Sequence, residues 1–185
     1  MLTIATFNLC NFGADAPPAR LARLGAIIAQ NLGGPDILAV QEVKGENSAL
    51  VNERTPADPA YQALVAAVAQ AGGPHYAFRE IAPLAHQDGG MAGAHIRVGL
   101  LFNPATVSFT DRGDAGPEDP VGIRLNSGKP RLTLNPGRIA PTHPAFTGDS
   151  RHHWVPSRKV LAAELEWRDR RLFVIACHFK SMRST

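Results

Sequence analysis

Cysteine is scarce in this chain. Cys10 and Cys177 are the only two among 185 residues, and neither has metal-ligand spacing. That excludes a disulfide scaffold, and both thiols are expected to be reduced and buried. Long apolar runs are missing as well. None approaches the ~20 residues that a helix needs to cross a bilayer. Charge is modest, at 19% against 44% hydrophobic residues, a balance that excludes wholesale disorder. Neither an internal repeat nor a low-complexity tract is present, so the length points to one folded domain. No leader is expected before the first patterned stretch, because Met1 runs directly into Leu2-Thr3-Ile4-Ala5-Thr6-Phe7. The expected location is therefore cytoplasmic, or secreted if an upstream segment is missing. Acidic residues are depleted in one region only. Residues 130–185 hold four Asp/Glu against ten Lys/Arg, a net of +6, whereas residues 1–129 hold twelve against nine, a net of −3. Such asymmetry suits a polyanionic partner or a phosphate-bearing substrate, a solvated basic face being the alternative.

What is present reads as alternating strands and helices. Residues 2–7 alternate and are rich in β-branched and aromatic side chains, which predicts a strand ending near Asn8. Residues 19–32 place Leu21, Leu24, Ile28 and Leu32 on one helical face, stopped by Gly33-Gly34-Pro35. Residues 36–42 are a short apolar run with a polar end, the pattern of a strand buried on both faces. A second helix is expected over 60–71, then strands over 76–81, 96–102 and 106–110. Residues 112–156 carry seven prolines and six glycines with no sustained period, and are expected to be one long irregular loop. A hairpin follows, with Leu161, Ala163, Leu165 and Trp167 on one face, a turn at Arg168-Asp169-Arg170, and a return strand over 172–178. The class expected is α/β.

Three polar residues end apolar strands: Asn8, Glu42 and His178. Strand ends face clefts on a rigid frame, the usual address of ligands in open α/β sheets. A carboxylate and an amide offer the hard oxygen ligands that suit a Mg²⁺ retaining several waters. A neighbouring imidazole could orient a water or relay a proton. Other clusters are weaker. His143, Asp149, His152 and His153 share the long loop and carry transition-metal donors, but no regular element fixes their geometry. His75, His86 and His95 are read as surface residues, and Arg168, Arg170 and Arg171 as a solvated hairpin tip. Arg97 could face phosphate or solvent.

Several of these stretches together resemble the endonuclease/exonuclease/phosphatase superfamily. They are Ala5-Thr6-Phe7-Asn8-Leu9, Asp36-Ile37-Leu38-Ala39-Val40-Gln41-Glu42-Val43 and Val174-Ile175-Ala176-Cys177-His178-Phe179-Lys180-Ser181, in order and at the family's spacing. Arg97 to Pro104 resembles its central strand, and Ser157 to Leu165 the strand before its histidine hairpin. Pro136-Gly137-Arg138-Ile139 and Pro144-Ala145-Phe146 look most like bacterial exported, broad-specificity nucleases. The resemblance spans residues 2 to about 181. It implies a DNase-I-like α/β fold, a four-layer two-sheet sandwich flanked by helices.

By the same resemblance, Glu42 is the direct Mg²⁺ ligand, with Mn²⁺ or Ca²⁺ as alternative ions, and Asn8 supports the metal and its water. His178 is the catalytic histidine at the scissile phosphate. Arg158, Lys44, Asn47 and Arg97 are the phosphate-contacting candidates. Lys44 stands where pancreatic-type nucleases carry a DNA-contacting arginine, keeping the charge but losing the bidentate fork. The implied activity is Mg²⁺-dependent hydrolysis of DNA or another phosphodiester. The alternatives are a phosphomonoesterase or lipid phosphodiesterase of the same fold, and an inactive nucleic-acid-binding fragment. The family's Gly-Asp-Phe-Asn-like and Ser-Asp-His motifs do not occur in the chain. Residues 1–185 are thus expected to form the N-terminal two thirds of one such domain, incomplete at its C-terminus, with exposed sheet edges that promote self-association.

Overall fold

In the computed structural model, residues 1–45, 53–85, 95–139 and 160–179 are described. In chain order, β1 (Ile4–Phe12) leads through α1 (Pro18–Ala26) and a π-helical turn (Ile27–Asn31) to β2 (Ile37–Val43). Next come α2 (Asp58–Gln70), β3 (Ala77–Arg79), β4 (Arg97–Phe102) and β5 (Ser108–Phe109). The chain continues with β6 (Ile123–Asn126), β7 (Lys129–Leu132), β8 (Gly137–Ile139), β9 (Val160–Trp167) and β10 (Arg170–Ala176). One sheet has the order β1-β2-β4-β3, with β1 parallel to β2 and the other pairs antiparallel. The second has the order β10-β9-β5, with β8 also on β9, all antiparallel. β6 and β7 form a separate two-stranded ribbon.

Side-chain alternation explains how these layers assemble. Successive strand residues point to opposite faces, so Leu38 and Val40 of β2 join Leu9, Leu24, Ile28, Leu64 and Val68 in a core between the first sheet and its helices. Ile37 and Ala39 point the other way. They meet Val98, Leu100 and Phe102 of β4 and Leu161, Ala163 and Leu165 of β9 in a core between the two sheets. The helices approach closely where glycine permits. A Cβ at Gly99 would lie 2.1 Å from Tyr61 Oη, so β4 accepts the α2 tyrosine only because position 99 has no side chain. Tyr61 stacks on Phe78 with ring centroids 4.8 Å apart.

Two charged clusters tie loops to the sheets. Arg97 is 4% exposed. Its guanidinium pairs with Glu80 at 3.1 Å and donates to the Thr55 and His95 carbonyls. Burial pushes the Glu80 carboxyl above its ordinary range, against the pull of Arg97. Glu164, on β9, is 6% exposed and receives three arginines: Arg112 at 3.1 Å, Arg131 at 3.3 Å and Arg171 at 3.1 Å. The Leu132 amide donates to the same carboxylate at 2.9 Å, which fastens β7 to the second sheet. Burial alone would raise the Glu164 carboxyl, but hydrogen bonds from Arg112 and Leu132 and the nearby arginine charges hold it below its usual range.

The α/β two-sheet arrangement expected from the sequence is present, but Arg171 pairs with Glu164 instead of lying in a solvated hairpin tip, and there are five other local differences. First, β1 runs on to Phe12 instead of stopping at Asn8, because its pairing with β2 shifts register between Asn8 and Phe12. Second, the first helix does not stay α-helical to Leu32. Its last turn widens to a π register, with Leu32 N bonded to Ile27 O at 2.9 Å, and Leu32 is exposed. Third, residues 112–139 are not structureless. Alternation over only four residues, the Ser127-Gly128 turn (φ 49° and 74°) and the Gly137–Ile139 pairing build β6, β7 and β8. Strands so short, rich in glycine and proline, leave little periodic signal. Fourth, Cys10 is exposed and Cys177 half-buried, not buried as expected. Fifth, His95 is buried beside Arg97 instead of lying at the surface. The histidines of the long loop, His143, His152 and His153, lie outside the described residues, as do Asp149 and His86.

Glu164 makes a test of this frame. Its lowered carboxyl contributes stability that is fully present above the unfolded pKa and lost as pH falls through the lower folded value. Glu164→Gln leaves three arginines facing a neutral amide and is expected to cost about 3–5 kcal/mol at neutral pH. The deficit should shrink below about pH 4. Urea titrations at both pH values measure it, and a deficit that grows on acidification would contradict the assignment.

Candidate active site

β2 is paired on both sides, and its side chains are buried until Glu42, where the backbone enters the left-handed region (φ 60°). The β2–β4 register shifts between Val40 and Val43, so the bulge at Glu42 turns its carboxylate out of the sheet. On β1, Cys10 and Asn11 are also left-handed (φ 56° and 54°). Two neighbouring strands therefore break their alternation at the same level. Arg20 of α1 braces the β1 kink by donating to the Leu9 carbonyl at 2.7 Å and to the Cys10 carbonyl.

The kinks bring three elements onto one carboxylate. Asn8 Nδ2 donates to Glu42 Oε1 at 3.1 Å, and the Asn11 backbone amide donates to Glu42 Oε2 at 3.0 Å. His178, just past β10 of the second sheet, places Nε2 3.5 Å from Glu42 Oε1. The Asn8 oxygen accepts the Cys10 amide at 2.8 Å, which fixes which end of the Asn8 amide faces Glu42. Glu42 and His178 are both mostly buried, with side chains 18% and 15% exposed. A hollow of about 560 Å³ lies between β1 and α1, lined by Asn8, Cys10, Arg20 and Arg23 but by neither Glu42 nor His178.

The structure thus brings Asn8, Glu42 and His178 together. It does not bring Lys44 into their hydrogen-bonding set. Lys44 follows Glu42 by two residues, but its ammonium lies 3.5 Å from Asp15. Arg97 is a correction. Its guanidinium is spent on Glu80 and on backbone carbonyls inside the fold, so it supports the first sheet and offers no face to a phosphate. Arg158 and Asn47 lie outside the described residues. Sequence reading missed Cys10, Asn11 and Arg20. Only Asn11 carried a signal, since asparagine tolerates the left-handed region better than most residues.

The donor set can be tested against a divalent metal. Among the described residues, no group of three His, Cys, Asp or Glu gathers that could hold one. One carboxylate with a neighbouring amide is poor for zinc, which wants a full set of protein ligands. It fits Mg²⁺, which keeps several waters and takes one or two carboxylates. Size does not select this site. A larger hollow of about 730 Å³ lies at the opposite edge of the first sheet, beside β3. Its Arg79 and Arg54 are already paired with Asp111 and Asp114, at 2.7 and 3.8 Å.

The profile of the endonuclease/exonuclease/phosphatase family matches residues 5–178. No curated protein sequence matches the chain. Among solved structures, a D. rerio TDP2 humanized by 14 mutations is similar with 16% identity and a TM-score of 0.45, over 98% of this chain and 49% of that one. D. rerio TDP2 complexed with a single-strand DNA product is similar with 17% identity and the same TM-score, over 98% of this chain and 47% of that one. The chain spans about half the length of these structures.

The double kink is testable through Cys10, whose side chain is exposed and whose backbone is left-handed. A β-branched residue is strained there, so Cys10→Val is expected to cost about 1–3 kcal/mol. Cys10→Gly should be close to neutral, because glycine adopts this region freely. Equal melting temperatures for the two variants would count against the kink.

Proposed function

The chain belongs to the endonuclease/exonuclease/phosphatase family, a family of hydrolases, and we propose that it carries the strand-end site of a Mg²⁺-dependent DNA phosphodiesterase with little sequence preference. The observation that supports this most directly is the Glu42 carboxylate, held by Asn8 and Asn11 and faced by His178 across the two sheets. Each residue has a role that its position suits. Glu42 presents oxygen donors for the cation. Asn8 and the Asn11 amide fix both carboxylate oxygens, so no reorientation is needed when substrate arrives. His178 stands where an imidazole can hydrogen-bond a phosphoryl oxygen or move a proton at the scissile ester. A bound divalent cation supplies the positive charge that offsets charge growing on the phosphoryl oxygens. Lys44 adds a screened cation at the rim, and Arg158 and Asn47 complete the phosphate-contacting set in this reading. No described helix is long and apolar enough to cross a membrane.

One second reading has an observation behind it. Residues 130–185 carry a net charge of +6, which suits a chain that binds DNA without cleaving it. The exposed Ile4 of β1 and Phe173 and Ile175 of β10 support self-association as part of either reading, and sedimentation measures it.

Plasmid nicking with and without Mg²⁺ separates the two readings. Glu42→Gln is expected to reduce Mg²⁺-dependent nicking at least about a hundredfold, the scale of losing a principal electrostatic group. Nicking that persists unchanged in Glu42→Gln would remove the assigned metal role. Salt-sensitive binding with no nicking by the unmodified chain would favour the second reading.

A further inference from the structure

The β6–β7 ribbon stands apart from the catalytic strands and has an unusual surface. Directly opposed residues of an antiparallel pair share a face. Arg124 is opposite Arg131, and Asn126 is opposite Lys129, so one face is basic. Ile123 is opposite Leu132 and Leu125 opposite Pro130, so the other is apolar. Leu132 is buried against the body, but Ile123 and Leu125 are 71% and 74% exposed. The tip is polar, made of Asn126, Ser127, Gly128 and Lys129, all exposed.

Two features show that the chain tolerates unfavourable energetics here. Arginines directly opposite each other on one face repel, and Arg124 and Arg131 are so placed. At the ribbon's base, one carboxylate, Glu164, serves three arginines, which leaves a surplus of positive charge where β7 meets the second sheet. Arg171 also donates to the Pro130 carbonyl at 2.7 Å, so the ribbon is held firmly on a cationic base. An anion laid along the basic face would relieve both repulsions.

We propose that the β6–β7 ribbon is a docking element for duplex DNA, with Arg124, Lys129 and the exposed part of Arg131 on phosphates and Ile123 and Leu125 against sugar and base edges. Shape agrees with this occupant. A two-stranded ribbon, with strands about 5 Å apart, is one of the few protein elements that a B-DNA major groove about 12 Å wide admits. A bilayer fits less well, because the tip is polar and the apolar pair is set back from it. A single strand fits less well too, since the ribbon has no aromatic platform on which bases stack. The ribbon meets β10 at Arg171, whereas His178 follows the far end of that strand. The five residue steps of strand from Arg171 to Ala176 span about 17 Å, or about five base-pair steps of duplex. The inference takes its occupant from the nuclease reading but does not depend on cleavage.

Its test is therefore binding in EDTA, where no hydrolysis intervenes. The full chain is titrated by fluorescence anisotropy against a labelled duplex of about 20 base pairs, at salt concentrations between about 0.05 and 0.2 M. Arg124→Ala with Lys129→Ala is expected to weaken binding about tenfold or more and to lower the slope of log Kd against log salt by about two. The charge-conserving pair Arg124→Lys with Lys129→Arg should restore both. Ile123→Ser with Leu125→Ser should weaken binding with the slope unchanged. All four positions are exposed, so melting temperatures serve as the control for folding. Unchanged affinity and slope in the alanine pair would overturn the proposal. So would a wild-type chain that sediments with phosphatidylserine–phosphatidylcholine vesicles and loses only that property in the alanine pair. If Glu42→Gln still nicks DNA while the alanine pair loses affinity, the catalytic reading fails and the ribbon assignment stands.

Discussion

The packing of β2 and β4 against β9 is the constraint on which the site depends. Ile37, Ala39, Val98, Leu100 and Phe102 from one sheet bury against Leu161, Ala163 and Leu165 from the other. This burial is non-directional and set by area, yet it fixes how far β10 stands from β2. Glu42 and His178 are far apart in sequence and belong to different sheets. Their 3.5 Å approach follows from the apolar interface. A void or an enlarged side chain in that layer would move the imidazole relative to the carboxylate without touching either residue.

Around that interface, charge is placed according to what it must hold. Arg97 with Glu80 and Arg112, Arg131 and Arg171 with Glu164 are ion pairs at the backs of the sheets, where they pin loops and the ribbon. Among the described residues, neither cluster bonds Glu42. The cleft itself uses few charges and fixes them with neutral donors, the Asn8 amide and the Asn11 backbone. Among the described residues, no arginine pairs with Glu42. The backbone kinks at Cys10, Asn11 and Glu42 are the local cost of that arrangement, concentrated where strain at functional sites is expected.

Much of this was legible in the residue order. The alternation of β1, the apolar run of β2 and the hairpin of β9 and β10 each carry a periodic signal several residues long, and all three strands are present. Asn8, Glu42 and His178 stood out because a polar residue at the end of an apolar strand has few structural reasons to be there. Arg97 was misread for a related cause. It also borders an apolar strand, but the carboxylate that neutralises it, Glu80, lies on another segment. The ribbon was missed because its strands of four residues, separated by Ser127-Gly128 and containing Pro130, sit in a stretch whose composition reads as loop.

By itself, then, the sequence determined the α/β class and the strands at whose ends Asn8, Glu42 and His178 stand. Those are properties of local patterning, and local patterning survives without knowledge of the rest of the chain. Only the tertiary structure decided that Asn11 serves through its backbone amide, that Arg97 is internal and that a basic ribbon stands on Glu164. Each depends on which distant segments share a face. That is settled by burying apolar area between sheets and by pairing the charges trapped near it, neither of which has a period in the sequence.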